Sequence, residues 1–352
     1  MAAGGTAGHI EPALNTADTI RELRPDSTIT FLGSDRGLET SLVPARGYPL
    51  VTLPSVPVPR SVDARVLRLP GRLLASVREA RRMLREGAVD VVVGFGGYAA
   101  APVYVAARAE GVPLLVHEAN ARPGWANRLG ARLTHYVAAV REGDLPHARV
   151  VGMPLRRSIR ELDRDDAAQA AKRELGLEGP VLLVFGGSQG ARHLNELVAA
   201  CLESWLAQGI SVVHIFGASN EAPVARPGYL PLPFTDRMER LYAAADLAVC
   251  RAGAMTCAEL AAVGLPAIYI PLPVGNGEQE WNALPTVDAG GGLLIRDADV
   301  SPTWLTSQVI DMIRDGRRLR EMGERAGARG VRDADRMLAQ WALDIAEGGA
   351  RR

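Results

Sequence analysis

The sequence predicts an α/β protein built from two Rossmann-like, doubly wound parallel-sheet domains, and three observations predict it. Glycine-rich turns open helices at two places about half a chain apart, Gly4-Gly5-Thr6-Ala7-Gly8-His9 and Gly186-Gly187-Ser188-Gln189-Gly190. Short apolar runs alternate with helical patterns along both halves, which is the rhythm of parallel β/α units. The length of 352 residues exceeds one ordinary hydrophobic core and fits two. Glycines let the backbone turn tightly and approach a ligand, and the helix N-terminus behind them offers unpaired N–H groups and partial positive charge to an anion. One such loop would say little. Two, in register with two strand–helix series, predict a phosphate-handling protein with a ligand cleft between paired halves.

In the first half, strands are expected at 28–32, 50–53, 89–93, 113–117 and 136–140, with helices at 12–23, 71–85, 99–109 and 124–132. The proline-rich stretch 54–59 reads as an irregular loop. A glycine and a proline at 152 and 154 close the half, and a polar helix at 164–175 precedes the second series. There, strands are expected at 181–185, 211–216, 246–250, 266–270 and 292–295, with helices at 194–206, 236–244, 255–263 and 279–289. From Pro302 the pattern is helical, and the last segment, 331–345, is long enough to cross back over the first domain. Only Met1-Ala2-Ala3 precede the first glycine loop, where a strand of about five residues is expected. The first strand is therefore expected to be a stub, or the chain to start late, with an upstream apolar segment that would stiffen the loop.

Apolar residues make up 47% and charged residues 23%, an ordinary globular balance. Zero formal net charge argues against a general nucleic-acid binder. Lys172 is the only lysine, so the basic surface is arginine, a side chain suited to bidentate phosphate contacts. Three scattered cysteines without ligand spacing point to a reducing compartment, and Cys250, ending an apolar strand, reads as core. No signal peptide and no apolar run near the roughly 20 residues that span a bilayer is visible, so a cytoplasmic protein is expected, with room to lie on a membrane.

Taken together, the motifs resemble one family. Gly-Gly-Thr-Ala-Gly-His at 4–9, Gly-Gly-Tyr at 96–98, His-Glu-Ala-Asn at 117–120, Gly-Met-Pro-Leu-Arg at 152–156, Gly-Gly-Ser-Gln-Gly-Ala at 186–191, Cys-Arg-Ala-Gly-Ala at 250–254, Gln279 and Trp281-Asn282-Ala283 occur in this order. This set is similar to the MurG family, the N-acetylglucosaminyltransferases of peptidoglycan synthesis that convert lipid I to lipid II. The resemblance implies a GT-B fold: residues 1–152 as the acceptor (lipid I) and membrane-associating domain, 153–325 as the UDP-GlcNAc domain, and 326–352 as C-terminal helices, the last crossing back.

Displacing UDP from an anomeric carbon needs a base for the attacking hydroxyl and positive potential for the departing diphosphate. His9 stands at the mouth of the first loop with an imidazole that titrates near neutrality. The residues alone leave open a loop-packing histidine; the resemblance implies a general base for the acceptor 4-hydroxyl. Asn120 is a candidate for positioning acceptor or base and for contacting the donor, whereas Glu118 could equally be a cap. Thr6 and Gly8 are donor candidates, and Gly4, Gly5, Gly96, Gly97 and Tyr98 are candidates for the acceptor and its pyrophosphate. Arg156, Ser188 and the helix start at Ala254, Met255 and Thr256 could hold the leaving group. The resemblance implies that Glu259 grips the ribose hydroxyls and that Phe234 and Thr235 cradle uracil. Gln279 and Asn282, three apart on one helix face, suit an N-acetyl sugar.

Three departures from the family pattern stand out. Ala7 replaces a glycine, Thr235 replaces a larger apolar residue, and Gly275-Asn276-Gly277-Glu278 replaces a more acidic, glutamine-rich loop. Asp-x-Asp pairs at 163/165, 297/299 and 333/335 sit where aspartate normally caps helices, so no metal and no cofactor is expected. Arg65, Arg68, Arg72, Arg78, Arg81, Arg82 and Arg85 accompany Leu69, Leu73 and Val77, spaced by four. Such a basic amphipathic helix either buries its apolar face in the core or rests on an anionic bilayer, and Leu69, Arg72, Leu73 and Val77 are the candidate membrane residues.

The expected activity is an inverting, metal-independent transfer of GlcNAc from UDP-GlcNAc to the 4-hydroxyl of lipid I, by a peripheral protein on the cytoplasmic face of an anionic membrane. The resemblance also admits cell-wall synthesis or division proteins as partners. The alternatives are a UDP-GlcNAc 2-epimerase of the same fold, which needs added acids and bases around the donor sugar, and an inactive GT-B membrane scaffold, which should have lost His9, Arg156 or Glu259.

Overall fold

A computed structural model describes residues 1–54, 69–143, 145–187, 191–273 and 277–350. The chain divides into two compact units, Met1–Leu155 with Asp333–Arg352, and Arg156–Arg332.

The first unit runs β1 (Ala2–Ala3), α1 (Ala7–Leu23), β2 (Phe31–Ser34), α2 (Glu39–Ala45), β3 (Leu50–Leu53), α3 (Leu69–Glu86), β4 (Val92–Gly96), α4 (Ala100–Glu110), β5 (Leu114–Glu118), α5 (Trp125–Leu133), β6 (Tyr136–Ala139) and β7 (Ala148–Val150). Its described strands pair in parallel in the order β3-β2-β1-β4-β5-β6-β7. The two-residue β1 is central, pairing Ala2 with both Leu32 and Gly94. Met1 extends this contact: its amino group donates to Thr30 O at 2.7 Å, and its carbonyl accepts from Leu32 N at 2.8 Å. Val92, Val93, Leu114, Leu115, Val116 and Val137 are buried, as strands covered on both faces by helices require.

α1 starts at Ala7, five residues before the expected Pro12, and keeps Pro12 inside. Expected strands 28–32 and 89–93 start three residues later than expected, at Phe31–Ser34 and Val92–Gly96, and both take in glycine in their C-terminal halves. Close backbone approach decides there over β-propensity. On α3, Ser76, Ala80 and Leu84 form the buried face. Leu73 and Leu74 remain 42% and 49% exposed, and Val77 is half-buried. Arg81 and Arg85 both pair with Glu110 of α4, and Arg82 pairs with Glu79. Arg72 and Arg78 are exposed. Arg65, Arg68 and most of the 54–59 loop, like the side chain of Leu69, lie outside the described residues.

The second unit runs α6 (Arg157–Arg160), α7 (Arg164–Leu175), β8 (Val181–Phe185), α8 (Arg192–Leu206), β9 (Ser211–Ile215), β10 (Tyr229–Leu232), α9 (Met238–Ala244), β11 (Leu247–Cys250), α10 (Ala254–Val263), β12 (Ala267–Tyr269), α11 (Glu278–Asp288), β13 (Gly292–Leu294), α12 (Pro302–Arg314) and α13 (Gly316–Gly327). Its strands pair in parallel in the order β10-β9-β8-β11-β12-β13. Leu182, Val184, Trp205, Val212, Val249, Ile268 and Val309 belong to one buried core.

Asp163 caps α7, accepting from Asp165 N at 3.1 Å and Asp166 N at 3.3 Å, and Gly176 ends it in left-handed conformation. Arg164 donates to the carbonyls of Tyr242 (3.0 Å), Ala245 (2.6 Å) and Gly264 (2.8 Å). One guanidinium thus serves the C-terminal ends of α9 and α10, where carbonyls lack helical partners. The final helix, α14 (Ala334–Ala350), belongs to the first unit. Leu338, Ala339, Ala342 and Ile345 are buried with Ile10, Leu14 and Ala17 of α1, and Thr19 Oγ1 donates to Asp335 at 2.7 Å.

Candidate active-site residues of each unit

In the first unit the chain leaves β1 through Gly4 and Gly5, the latter at φ +90°, and enters α1 at Thr6. The Thr6 side chain does not cap the helix; its Oγ1 lies 3.0 Å from His9 Nδ1. With no acidic residue in the first turn, this N-terminus remains available to an anion. The loop is held from below by Glu39, a buried carboxylate at the start of α2. Its Oε2 accepts from Gly5 N at 2.9 Å, and its Oε1 accepts from Ser34 N at 2.8 Å and Ser34 Oγ at 2.6 Å.

A second glycine pair lies against this loop. Gly97 has φ +86°, and a β-carbon there would collide with the carbonyl of Gly4. A β-carbon on Gly96 would come within 3.2 Å of the His9 ring and 3.1 Å of Asn127 Nδ2. Glycine at both positions lets the two loops meet backbone to backbone and sets the His9 ring beside Asn127. Burial lowers the pKa of His9 below its usual value, against the opposing pull of Glu39 and a hydrogen bond to the Gly4 backbone. Its imidazole is therefore neutral at pH 7, the state a general base requires.

Glu118, at the end of β5, organises the next turn. It accepts from Asn120 N at 2.8 Å, Gly124 N at 3.0 Å and Asn127 Nδ2 at 2.9 Å. Burial raises its pKa despite these bonds. Tyr104 completes the layer, receiving Gly96 N at 3.0 Å and donating to Asn127 Oδ1 at 2.8 Å. Asn120 is half-buried and within 3.4 Å of Glu118 through its amide. Tyr98 is 53% exposed.

In the second unit, β11 runs through Arg251-Ala252-Gly253 into α10. Gly253 at the N-cap supplies no side chain, and the first turn (Ala254, Met255, Thr256) carries no acid. Glu259, one turn further and buried, accepts from Tyr242 Oη at 2.8 Å. Gln279 Oε1 accepts from Ala252 N (3.1 Å) and Leu272 N (2.9 Å), while Asn282 Nδ2 donates to Ala252 O at 3.3 Å. The α11 pair thus clasps the turn that feeds α10. Arg156 Nη1 donates to Asp236 O at 3.3 Å, beside the exposed Phe234 and beside Thr235, whose Oγ1 accepts from Arg237 N at 3.0 Å. Ser188 lies outside the described residues, as do Gln189, Gly190 and part of the 275–278 loop.

Residues 1–139 match the family model Glycosyltransferase family 28 N-terminal domain, and residues 181–338 match Glycosyltransferase family 28 C-terminal domain. A relative from Acidothermus cellulolyticus, named UDP-N-acetylglucosamine--N-acetylmuramyl-(pentapeptide) pyrophosphoryl-undecaprenol N-acetylglucosamine transferase, is 53% identical over 354 residues, covering 96% of this chain and 95% of its own. A Streptomyces coelicolor relative of the same name is 50% identical over 361 residues, covering 100% and 99%. The crystal structure of Acinetobacter baumannii MurG aligns over 98% of each chain with a TM-score of 0.79 and 27% identity. The chain belongs to the MurG family of glycosyltransferase family 28.

Its two parallel-sheet units are accordingly those of a GT-B fold, with no described helix long and apolar enough to cross a membrane. Capping describes Asp163 but not Asp297. The Asp297 carboxylate pairs with buried Arg251 and lies 3.1 Å from His193 Nδ1, while α12 is capped by Ser301 instead. Arg251 Nη1 also donates to Ile270 O (3.1 Å) and Pro271 O (3.2 Å). Glu39, Tyr104, Asn127 and Tyr242 stand in no motif of the sequence, yet each braces one. They hold the motif residues through buried polar bonds, and a lone polar residue leaves no pattern in the sequence.

Proposed function

We propose that this protein transfers N-acetylglucosamine from UDP-GlcNAc to the 4-hydroxyl of lipid I, with inversion at the anomeric carbon, to give lipid II. The observation that carries the chemistry is His9: an imidazole kept neutral by burial, set at the open N-terminus of α1 with Thr6 against its Nδ1. His9 takes the proton as the acceptor oxygen attacks C1, and the bond from C1 to the β-phosphate oxygen breaks with inversion. Charge then develops on the departing UDP. The N–H groups of Ala254, Met255 and Thr256 and the guanidinium of Arg156 meet that charge. Glu259, steadied by Tyr242, takes the ribose hydroxyls, and Phe234 and Thr235 flank the uracil. Gln279 and Asn282 shape the sugar subsite through the turn at Ala252. Glycine loops 4–5 and 96–97, with Tyr98 and Asn120, receive the acceptor.

Exposed Leu73 and Leu74, beside Arg72 and Arg78, support seating the protein on the anionic cytoplasmic face of the membrane, where a lipid-linked acceptor lies.

Radiolabelled UDP-GlcNAc with a lipid I analogue tests the reading. Label in a disaccharide–lipid product supports it; epimerised nucleotide sugar, or UDP release without product, overturns it. Arg156→Ala and Glu259→Ala are each expected to weaken UDP-GlcNAc binding roughly ten- to hundredfold, the loss of one charge-assisted hydrogen bond worth about 1.5–3 kcal/mol. Unchanged calorimetric affinity in both folded variants would remove these residues from the donor site.

A further inference from the structure

On the two segments that meet at Gly96, the first unit exposes two large aromatic side chains that the proposed chemistry leaves unused or only partly explained. Tyr98 is 53% exposed and Trp125 is 49% exposed, and their ring centroids lie 5.8 Å apart with a 42° tilt. They come from different segments, the loop after β4 and the first residue of α5. Gly96 is where the two segments meet: the His9 ring and the Asn127 amide both border the space where its β-carbon would stand. Tyr98 follows Gly96 by two residues, and Trp125 precedes Asn127 by two.

The ground under the pair is rigid. Gly97 is locked against the Gly4 carbonyl. Gly124, the N-cap of α5, donates to Glu118 at 3.0 Å, and Asn127 is held by Glu118, Tyr104 and the His117 carbonyl. The backbone carrying both rings is thus fixed by buried polar bonds, while the rings face solvent. Exposed aromatic area on so well-tied a base costs hydration without contributing to the core, which is the arrangement of a preorganised binding surface.

We propose that Trp125 and Tyr98 form a stacking platform for the acceptor's N-acetylmuramoyl ring, with Trp125 a substrate-contacting residue that sets acceptor affinity. This rests on the reading of His9 as the base toward the sugar 4-hydroxyl. A hydroxyl delivered to His9 places its own pyranose ring, whose C–H faces are apolar, next to the aromatic pair. The neighbouring polar side chain of Asn120 is left for the ring's hydroxyl and amide groups. The prenyl chain sits beyond the pyrophosphate, further from His9 than the sugar, which favours the sugar over the lipid as the stacked group.

The test uses a water-soluble lipid I analogue with a short prenyl chain, without vesicles, on the full chain and on Trp125→Ala, Trp125→Leu and Trp125→Phe. Acceptor KM is expected to rise about three- to tenfold in the Ala and Leu variants, to recover in Phe, and to change more than kcat. Calorimetric affinity for UDP-GlcNAc should stay unchanged, which also reports that the fold is intact. An unchanged KM, or a Leu variant as good as wild type, overturns stacking. So does an unchanged KM accompanied by lost sedimentation with anionic phospholipid vesicles, which makes the pair a membrane contact. Failure of the wild-type protein to glycosylate the analogue at all would instead sink the proposed reaction.

Discussion

Replacing His9 with alanine is expected to lower kcat by about 10²–10⁴-fold, the range for losing a positioned general base. UDP-GlcNAc affinity should change far less, because His9 is not among the residues assigned to the donor. The loop should survive the change. Its shape rests on the Glu39 bonds to Gly5 and Ser34 and on the packing of Gly97 against Gly4, which remain when the imidazole's bond to the Gly4 backbone is lost. A pH–rate profile separates the base from a merely structural histidine. Since burial lowers the His9 pKa, the rate should stay on its plateau below the usual imidazole value of 6.5 and fall only as the pH drops through the depressed pKa. That acid limb should vanish in His9→Gln. Near-normal turnover of His9→Ala at saturating acceptor would remove the residue from the mechanism.

Much of this arrangement is legible in the sequence where local chemistry decides the structure. The helix at 164–175 is bounded by an aspartate cap and a left-handed glycine, and the expected bounds are those observed. The apolar run Val181–Phe185 is likewise found as expected, because a strand buried on both faces reads as a continuous hydrophobic stretch. Legibility fails where the sheet edge or a neighbouring loop decides. β10 contains Pro231 and is not among the expected strands, yet it pairs with β9 at the edge of its sheet, where a missing N–H costs nothing. The seven-residue α2 is too short for a helical period to show. Its Glu39 is identifiable only once the fold brings Gly5 and Ser34 onto one carboxylate. The glycine motifs announce where ligands approach, but the residues bracing them (Glu39, Asn127, Tyr104, Tyr242) are single polar groups whose burial leaves no periodic trace. Gln279 and Asn282 show the other side of this. Their spacing suggests two amides facing a sugar, while the structure turns one oxygen and one amide onto the backbone of Ala252.

Acidification from pH 7 toward pH 4 is expected to destabilise each unit through one buried histidine. His117, fully buried in the first unit, has Nε2 2.8 Å from Gly152 O, and burial lowers its pKa to about 4. His214, buried in the second unit, sits between Asn195 Oδ1 at 3.0 Å and Tyr229 Oη at 2.9 Å, and burial lowers its pKa to about 4 as well. Both groups have folded pKa values below the unfolded value near 6.5, so below that pH the unfolded chain binds more protons. The stability linked to each is fully present above 6.5 and is lost as the pH falls through the folded pKa: about 2 kcal/mol by pH 5 and about 3 kcal/mol below pH 4. In the first unit Glu118 acts in the opposite sense. Its raised pKa favours the folded state at low pH, while the depressed pKa values of His9 and the Met1 amino group add to the loss. Urea unfolding followed by circular dichroism at pH 7.5, 6.5, 5.5 and 4.5 reads the loss. His214→Gln should start less stable at pH 7.5, having lost the bond to Tyr229 or Asn195, but should fall less steeply, because no proton remains to be taken up at that site. A wild-type midpoint that stays level down to pH 4.5, or a variant with the same slope as wild type, would show that His214 is not held neutral by its burial.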